Sequence, residues 1–279
     1  MIFVVVPTIR PEQLSIFKEA WREQFEKYNV KLITVHDGDM PYAMFEDRKY
    51  TIEEIMGDFD FLIYNKNDGV RNLGFALAYK LGAEIIISLD DDTRPYGDTI
   101  GDHLKILNTR QPISWMNTAQ DVYMRGFPYG IRNEAEVVFS HGVWNGVADF
   151  DASTQLVLGS PKLTYNKLSV PKGILLPVCV MNVAFKAKIL PYYYQAPMFG
   201  DINRFADIWS GIEVKKAIDK LGYAMVTGYA TVYHERASNP FVNLVKEARG
   251  IGMNEEYGKD DYFKLYQNNI KLWKKYLKE

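Results

Sequence analysis

The chain has 279 residues, 47% hydrophobic and 24% charged, enough to bury a full core and too apolar for a disordered segment. A formal net charge of −2 supplies no global basic field for nucleic acid, so any anionic ligand must be held by local groups. The only cysteine, Cys179, excludes an intrachain disulfide framework and a cysteine-built zinc site.

Met1 to Val6 lacks a basic start and stops at Pro7, too short for a signal peptide or a membrane span, so we expect a cytoplasmic, soluble protein with no integral membrane segment. Ile2 to Val6 reads as a strand, and Pro7 to Pro11 as a loop into a helix whose Leu14, Phe17, Trp21, Phe25 and Tyr28 recur at helical spacing. Val30 to Val35 predicts a second strand ending in His36-Asp37-Gly38-Asp39. Phe59 to Tyr64 predicts a third, running into Asn65-Lys66-Asn67-Asp68-Gly69. A helix follows over Val70 to Leu81 and stops at Gly82, and then the β-branched run Ile85 to Leu89 predicts a buried strand. Strands alternating with helices imply a parallel sheet with right-handed crossovers, which gathers the loops 7–11, 36–39, 65–69 and 90–93 along one edge.

After residue 112 the pattern loosens into aromatics, glycines and short apolar runs, as expected of antiparallel strands and long loops that complete a site. Val178 to Phe185 reads as a strand, and Val214, Ala217, Ile218 and Leu221 as a helical face ended by Gly222. A strand pair is expected near 223–233. From Asp260, Phe263, Tyr266, Ile270, Trp273 and Leu277 form the apolar stripe of a lysine-rich amphipathic helix, read as packing on the body or a neighbouring subunit rather than on a membrane surface.

The chemistry concentrates in Asp90-Asp91-Asp92, at the carboxyl end of the fourth strand, where open α/β sheets place their ligands. Like charges this close resist desolvation. A divalent cation makes such a cluster favourable, and carboxylate oxygens suit Mn²⁺ or Mg²⁺, which fill the rest of their shell with water and substrate phosphates. The competing reading is a solvated acidic turn. His234, after the apolar stretch Met225 to Tyr233, is a second ligand candidate beside the same cation. Arg125 and Arg132 lie in a Gly/Pro-punctuated loop and read as phosphate-binding forks or as surface arginines. Ser140-His141-Gly142-Val143-Trp144-Asn145 and Asp149-Phe150-Asp151 offer a neutral ring, an amide and carboxylates of the kind a sugar site uses, and each reads equally as structural. Asp207, at a helix start, reads equally as an N-cap or dipole partner and as a catalytic carboxylate. No P-loop, dinucleotide Gly-x-Gly-x-x-Gly or Gly-x-Ser-x-Gly elbow is present, so kinase, dinucleotide and serine-hydrolase readings drop out.

Val-Pro-Thr-Ile-Arg at 6–10, Asp-Gly-Asp at 37–39, the triplet, Arg-Gly-Phe-Pro at 125–128, Ser-His-Gly-Val-Trp at 140–144, Asp-Ala-Ser-Thr-Gln-Leu at 151–156 and Ser-Asn-Pro-Phe-Val-Asn-Leu at 238–244 occur in this order. In these motifs the chain resembles the reversibly glycosylated polypeptides, the UDP-arabinopyranose mutases, from residue 2 to about residue 256. The resemblance implies an α/β fold: a single GT-A-like, Rossmann-like domain with a mainly parallel central sheet, an antiparallel substrate side and a C-terminal helix. On that reading 1–112 is the nucleotide-binding half, 113–256 the sugar half and 257–279 the helix. It further implies Asp92 and His234 as Mn²⁺ or Mg²⁺ ligands, with Asp90 as a further ligand nearer the ribose or sugar. Pro7, Thr8, Arg10 and Asp37 would line a uridine pocket, with Asp91 beside them, and Arg71 would face the diphosphate or sugar. Arg125 matches the arginine that is glycosylated reversibly, and Arg132 a second functional arginine.

The expected activity is interconversion of UDP-L-arabinopyranose and UDP-L-arabinofuranose by metal-assisted cleavage and re-formation of the anomeric C–O bond, with Asp207 opposing the positive charge at that carbon. The alternatives are transfer from a UDP-sugar to an external acceptor, or a self-glycosylating scaffold. The partner is a nucleotide sugar, and a homo-oligomer is compatible with the sequence.

Overall fold

The structure, a computed structural model, describes residues 1–117, 122–132, 134–159, 163–235 and 239–278. The first half runs β1 (Ile2–Thr8), α1 (Pro11–Lys27), β2 (Val30–His36), β3 (Tyr42–Phe45), β4 (Arg48–Thr51), α2 (Ile52–Met56), α3 (Arg71–Lys80), β5 (Ile85–Leu89), β6 (Thr93–Pro95), α4 (Thr99–Leu107) and β7 (Arg110–Pro112). The second runs β8 (Glu134–Gly146), α5 (Ala152–Leu158), β9 (Leu168–Ser169), β10 (Asn182–Lys186), α6 (Ala206–Leu221), β11 (Ala224–His234), α7 (Pro240–Glu255) and α8 (Asp261–Tyr276).

One sheet runs through the molecule in the order β4-β3-β2-β1-β5-β10-β8-β11-β6, with β7 and β9 attached at the side. β1 pairs parallel with both β2 and β5. β10 is antiparallel to β5 and to β8, and β11 is parallel to β8. It follows that β2, β1, β5, β8 and β11 all point the same way, with β10 reversed among them. Their carboxyl ends therefore lie along one edge, which brings the residues after β8 and β11 beside those after β1, β2 and β5. The gathering of loops expected from the first half thus extends into the second.

Strand alternation divides the core. Val4, Val6, Ile87 and Leu89 face α1 and α4, whereas Phe3, Val5 and Ile86 face the larger cluster with α3, α6 and α8. Each face is covered by helices, as co-directional central strands require. Gly74 of α3 shows how tightly: a Cβ there would stand 2.5 Å from Val5 and 2.7 Å from Val35. The C-terminal helix α8 packs on the body, with Tyr266 and Trp273 fully buried and bonded to the Tyr194 and Leu190 carbonyls at 2.8 and 2.9 Å. No helix among the described residues is long and apolar enough to cross a membrane.

Three local expectations are corrected. Residues 59–64 are not a strand: Gly57–Leu62 forms a 3-10 turn. The sheet edge beyond β2 is taken by the β3–β4 hairpin instead, while Phe59 packs on Tyr276 of α8 and the Leu62 carbonyl accepts the Tyr194 hydroxyl at 2.6 Å. The region 223–233 is one strand, not two. β11 carries a bulge where its register against β8 jumps between Thr227 and Thr231, and Gly228 takes φ +81° there. The strand expected over 178–185 pairs only from Asn182, so Cys179–Met181 precede the ladder.

Candidate active site: an acidic cavity at the carboxyl edge

At this edge lies a cavity of about 420 Å³ whose lining includes Asp68, Arg71, Asp90, Asp92, Asp149, Cys179, Asp207 and His234. Six separate chain segments supply these groups, Asp68 and Arg71 coming from the turn into α3. Asp90 and Asp92 follow β5, His234 ends β11, Asp149 follows β8, Cys179–Met181 lead into β10, and Asp207 sits in the first turn of α6.

The three consecutive aspartates have three different environments. Asp91 is 2% exposed and turned away from the cavity. It accepts from the Thr8 hydroxyl at 2.7 Å and pairs with the Arg10 guanidinium, tying the loop after β1 to the end of β5. Asp90 pairs with Arg71, which is itself 2% exposed and donates to Ser88 Oγ at 2.9 Å. Asp92 keeps a buried Oδ1 without a hydrogen-bond partner among the described residues. Burial and the neighbouring Asp90 charge push its carboxyl upward, a tension that a cation relieves. Asp91→Ala is therefore expected to act on stability, lowering it by about 1–3 kcal/mol because Thr8 and Arg10 lose their acceptor. Urea unfolding measures this loss.

His234 Nε2 stands 3.9 Å from Asp92 Oδ1. Its Nδ1 lies 2.9 Å from the Val147 carbonyl, which only accepts, so Nδ1 carries a proton and, in the neutral ring, the Nε2 lone pair faces Asp92. One carboxylate and one oriented imidazole form an open pair. Among the described residues no group of three His, Cys, Asp or Glu side chains stands ready to enclose an ion. Asp90, expected as a further ligand, lines the cavity and pairs with Arg71.

Asp207 is strongly perturbed. Burial first, then the charges of Asp68 and Asp149, push it up to about 8, against the pull of two backbone amides. Those amides are Val180, 3.1 Å from Oδ2, and Ile208, 2.9 Å from Oδ1. The residue is not the N-cap of α6, a position that Phe205 occupies. Burial also raises the Cys179 thiol well above its ordinary range, so it is no nucleophile at neutral pH.

The expected nucleotide-side residues Pro7, Thr8, Arg10 and Asp37 lie beside this cavity, not in its lining. Asp37 Oδ1 accepts from the Gly38 and Lys66 amides, each at 2.8 Å, which fastens the loop after β2 to the 65–69 loop. Neither Arg125 nor Arg132 lines the cavity. Arg125 is exposed. Arg132 is a staple within its loop, donating to the Phe127 carbonyl at 3.1 Å, with its guanidinium 3.8 Å from the Tyr129 ring centre and 4.7 Å from that of Tyr123. Of the segment around His234, Arg236, Ala237 and Ser238 lie outside the described residues, while Asn239 caps α7 through the Phe241 and Val242 amides. Missed in the sequence were Asp68 and the Cys179–Val180 wall. Asp68 follows Asn67 in an ordinary loop motif, and nothing local marks the wall.

The family model of the reversibly glycosylated polypeptides matches residues 1–272. A probable UDP-arabinopyranose mutase 1 of Pisum sativum is 34% identical over 91% of this chain and 75% of its own length. UDP-arabinopyranose mutase 3 of Arabidopsis thaliana is 34% identical with the same coverage. Among solved structures, glucosyl-3-phosphoglycerate synthase of Mycobacterium tuberculosis, crystallised with Mn²⁺, UDP and glucosyl-3-phosphoglycerate, superposes with a TM-score of 0.52 at 13% identity over 91% of this chain and 79% of that one. This likeness shows the fold, that of the GT-A glycosyltransferases. With a family model covering nearly its whole length, the chain belongs to the reversibly glycosylated polypeptide family.

Proposed function

We propose that the chain interconverts UDP-L-arabinopyranose and UDP-L-arabinofuranose. Relatives named as UDP-arabinopyranose mutases support the reaction, and the observation that carries the site assignment is that the Asp92–His234 pair and Asp207 line one cavity. The orphaned Asp92 Oδ1 and the outward Nε2 of His234 suit a divalent cation, Mn²⁺ or Mg²⁺, whose remaining positions a diphosphate and water complete. The Mn²⁺ and UDP bound to the mycobacterial synthase support the same ligand class. When bound, such an ion stabilises the negative charge that grows on the departing diphosphate.

The protein's own groups handle the sugar. Arg71, locked by Ser88 and Asp90, presents a fixed positive charge at the cavity wall. The C1–O bond to UDP breaks with its electron pair going to the phosphate oxygen, and ionised Asp207 opposes the positive charge left at C1. O4 then attacks C1 while the C1–O5 bond opens. Asp207 takes the O4 proton and returns it to O5, and UDP re-forms its bond to C1, so atoms and charge balance. We assign Arg125 and Arg132 no bond in this cycle. A guanidinium is a poor nucleophile, and reversible glycosylation at Arg125 is proposed as a side path on the exposed loop.

Positional isotope exchange tests bond cleavage. With ¹⁸O in the bridge between C1 and the β-phosphorus, label is expected to scramble into the non-bridging β-phosphate oxygens as furanose forms. Furanose formed with all label retained in the bridge contradicts the mechanism, and scrambling without furanose contradicts the mutase reading.

A further inference from the structure

We propose that His141 is a positioning residue for Asp207: its imidazole pins the Cys179 amide, and the next amide of the same segment holds the Asp207 carboxylate toward the cavity. The proposal rests on the reading of Asp207 as the reacting carboxylate.

Cys179–Met181 form a wall of the cavity, yet they precede the strand pairing of β10, which starts at Asn182. Ladder hydrogen bonds therefore do not hold this segment. Two side chains do. The Cys179 N–H donates to His141 Nε2 at 3.2 Å, and the Val180 N–H donates to Asp207 Oδ2 at 3.1 Å. Because a backbone N–H only donates, Nε2 is the acceptor and the imidazole proton sits on Nδ1, which gives it to Thr227 Oγ1 at 2.8 Å. Thr227 is the register partner of His141 across the β8–β11 ladder, at the edge of the β11 bulge.

His141 is 6% exposed in the middle of β8, so its ring is fixed by packing as well as by these two bonds. Burial pushes the imidazole down to about 4, so it stays neutral at working pH and keeps the lone pair that the Cys179 amide needs. The Cys179 and Val180 amides are separated by a single residue step. Releasing the first lets this short unpaired segment turn, and the second swings off Oδ2.

The charged and titratable groups facing Asp207 are Asp68, Asp149, Arg71, Cys179 and Tyr193. Of these only Cys179 is bonded to His141, through its backbone amide, so a change in Asp207 on altering His141 must travel through the wall.

The test uses three variants of the full chain. His141→Leu removes the acceptor, His141→Gln restores one, and Thr227→Val removes the group that fixes the tautomer. ¹³Cγ-aspartate NMR follows the Asp207 carboxyl, assigned by Asp207→Asn, and kcat and KM are measured for the UDP-sugar. In His141→Leu the Asp207 midpoint is expected to rise by about half to one pH unit, because the ionised form loses a donor. kcat is expected to fall about tenfold or more with KM unchanged within about twofold. His141→Gln should recover most of both, and Thr227→Val should shift Asp207 in the same direction by less.

A folded His141→Leu protein with wild-type Asp207 titration overturns the proposal, as does a His141→Gln protein as impaired as His141→Leu. If His141→Leu does not fold, wild-type titration of Asp207 in Thr227→Val overturns it. Absence of turnover in the wild type counts against the mutase reading alone, since the NMR titration still decides the link from His141 to Asp207.

Discussion

Replacing Asp92 with alanine is expected to lower kcat/KM by about 10³-fold or more, the scale on which removing a group that stabilises leaving-group charge acts. The structure singles out this one aspartate of three. Asp91 is consumed by Thr8 and Arg10, Asp90 by Arg71, and only Asp92 offers a buried oxygen without a partner, facing the open nitrogen of His234. Stability should not fall with activity. Burial and the Asp90 charge already push the Asp92 carboxyl upward, so alanine removes an unfavourable charge together with the ligand. The variant should also lose any strengthening of UDP binding by Mn²⁺ in calorimetry, whereas Asp91→Ala should keep it. Wild-type metal dependence in Asp92→Ala contradicts the assignment.

The second large effect belongs to Asp207 and is read through pH. In the free protein its carboxyl is pushed up to about 8, so at neutral pH most molecules carry it protonated. If the ionised form is the one that opposes charge at C1 and takes the O4 proton, log kcat/KM rises with unit slope below about pH 8 and levels above it. Asp207→Asn should flatten that limb and cost about 10²- to 10⁴-fold in kcat. The linkage to stability has the opposite sign. An unfolded aspartate releases its proton near about pH 4, while the native group holds it until about 8, so the folded state loses stability as pH rises across that interval. Activity and stability therefore diverge between those limits. A pH–rate profile without this limb, in a protein that is folded throughout, contradicts the role given to Asp207.

The elements with long, regular patterns were legible in the sequence. α1 declares itself through Leu14, Phe17 and Trp21, all buried on one side, and α6 through Val214 and Ile218 with its left-handed stop at Gly222. The β3–β4 hairpin was not legible, because its turn is built from Glu46 and Asp47 at φ +47° and +62° where Asn-Gly would have been the signal. Phe59 to Tyr64 misled for the converse reason: an apolar run states burial, and whether it pairs in a sheet depends on what else competes for the edge. In the site, identical local sequence concealed three different aspartates, since their partners Thr8, Arg10, Arg71 and His234 come from far along the chain. Asp207 could be narrowed to a helix start and no further. Its perturbation comes from burial first and then from Asp68 and Asp149, two carboxylates on other segments that meet it only after folding.

One cavity is expected both to cleave and to re-form the bond between UDP and a pentose, many times over. UDP-arabinopyranose is incubated with the wild-type protein and Mn²⁺, without an acceptor, and the anomeric protons are followed by NMR while furanose is counted per chain. Many equivalents of UDP-arabinofuranose per chain, abolished in Asp92→Ala, are the predicted result. UDP release without furanose, or no more than one sugar consumed per chain, contradicts it.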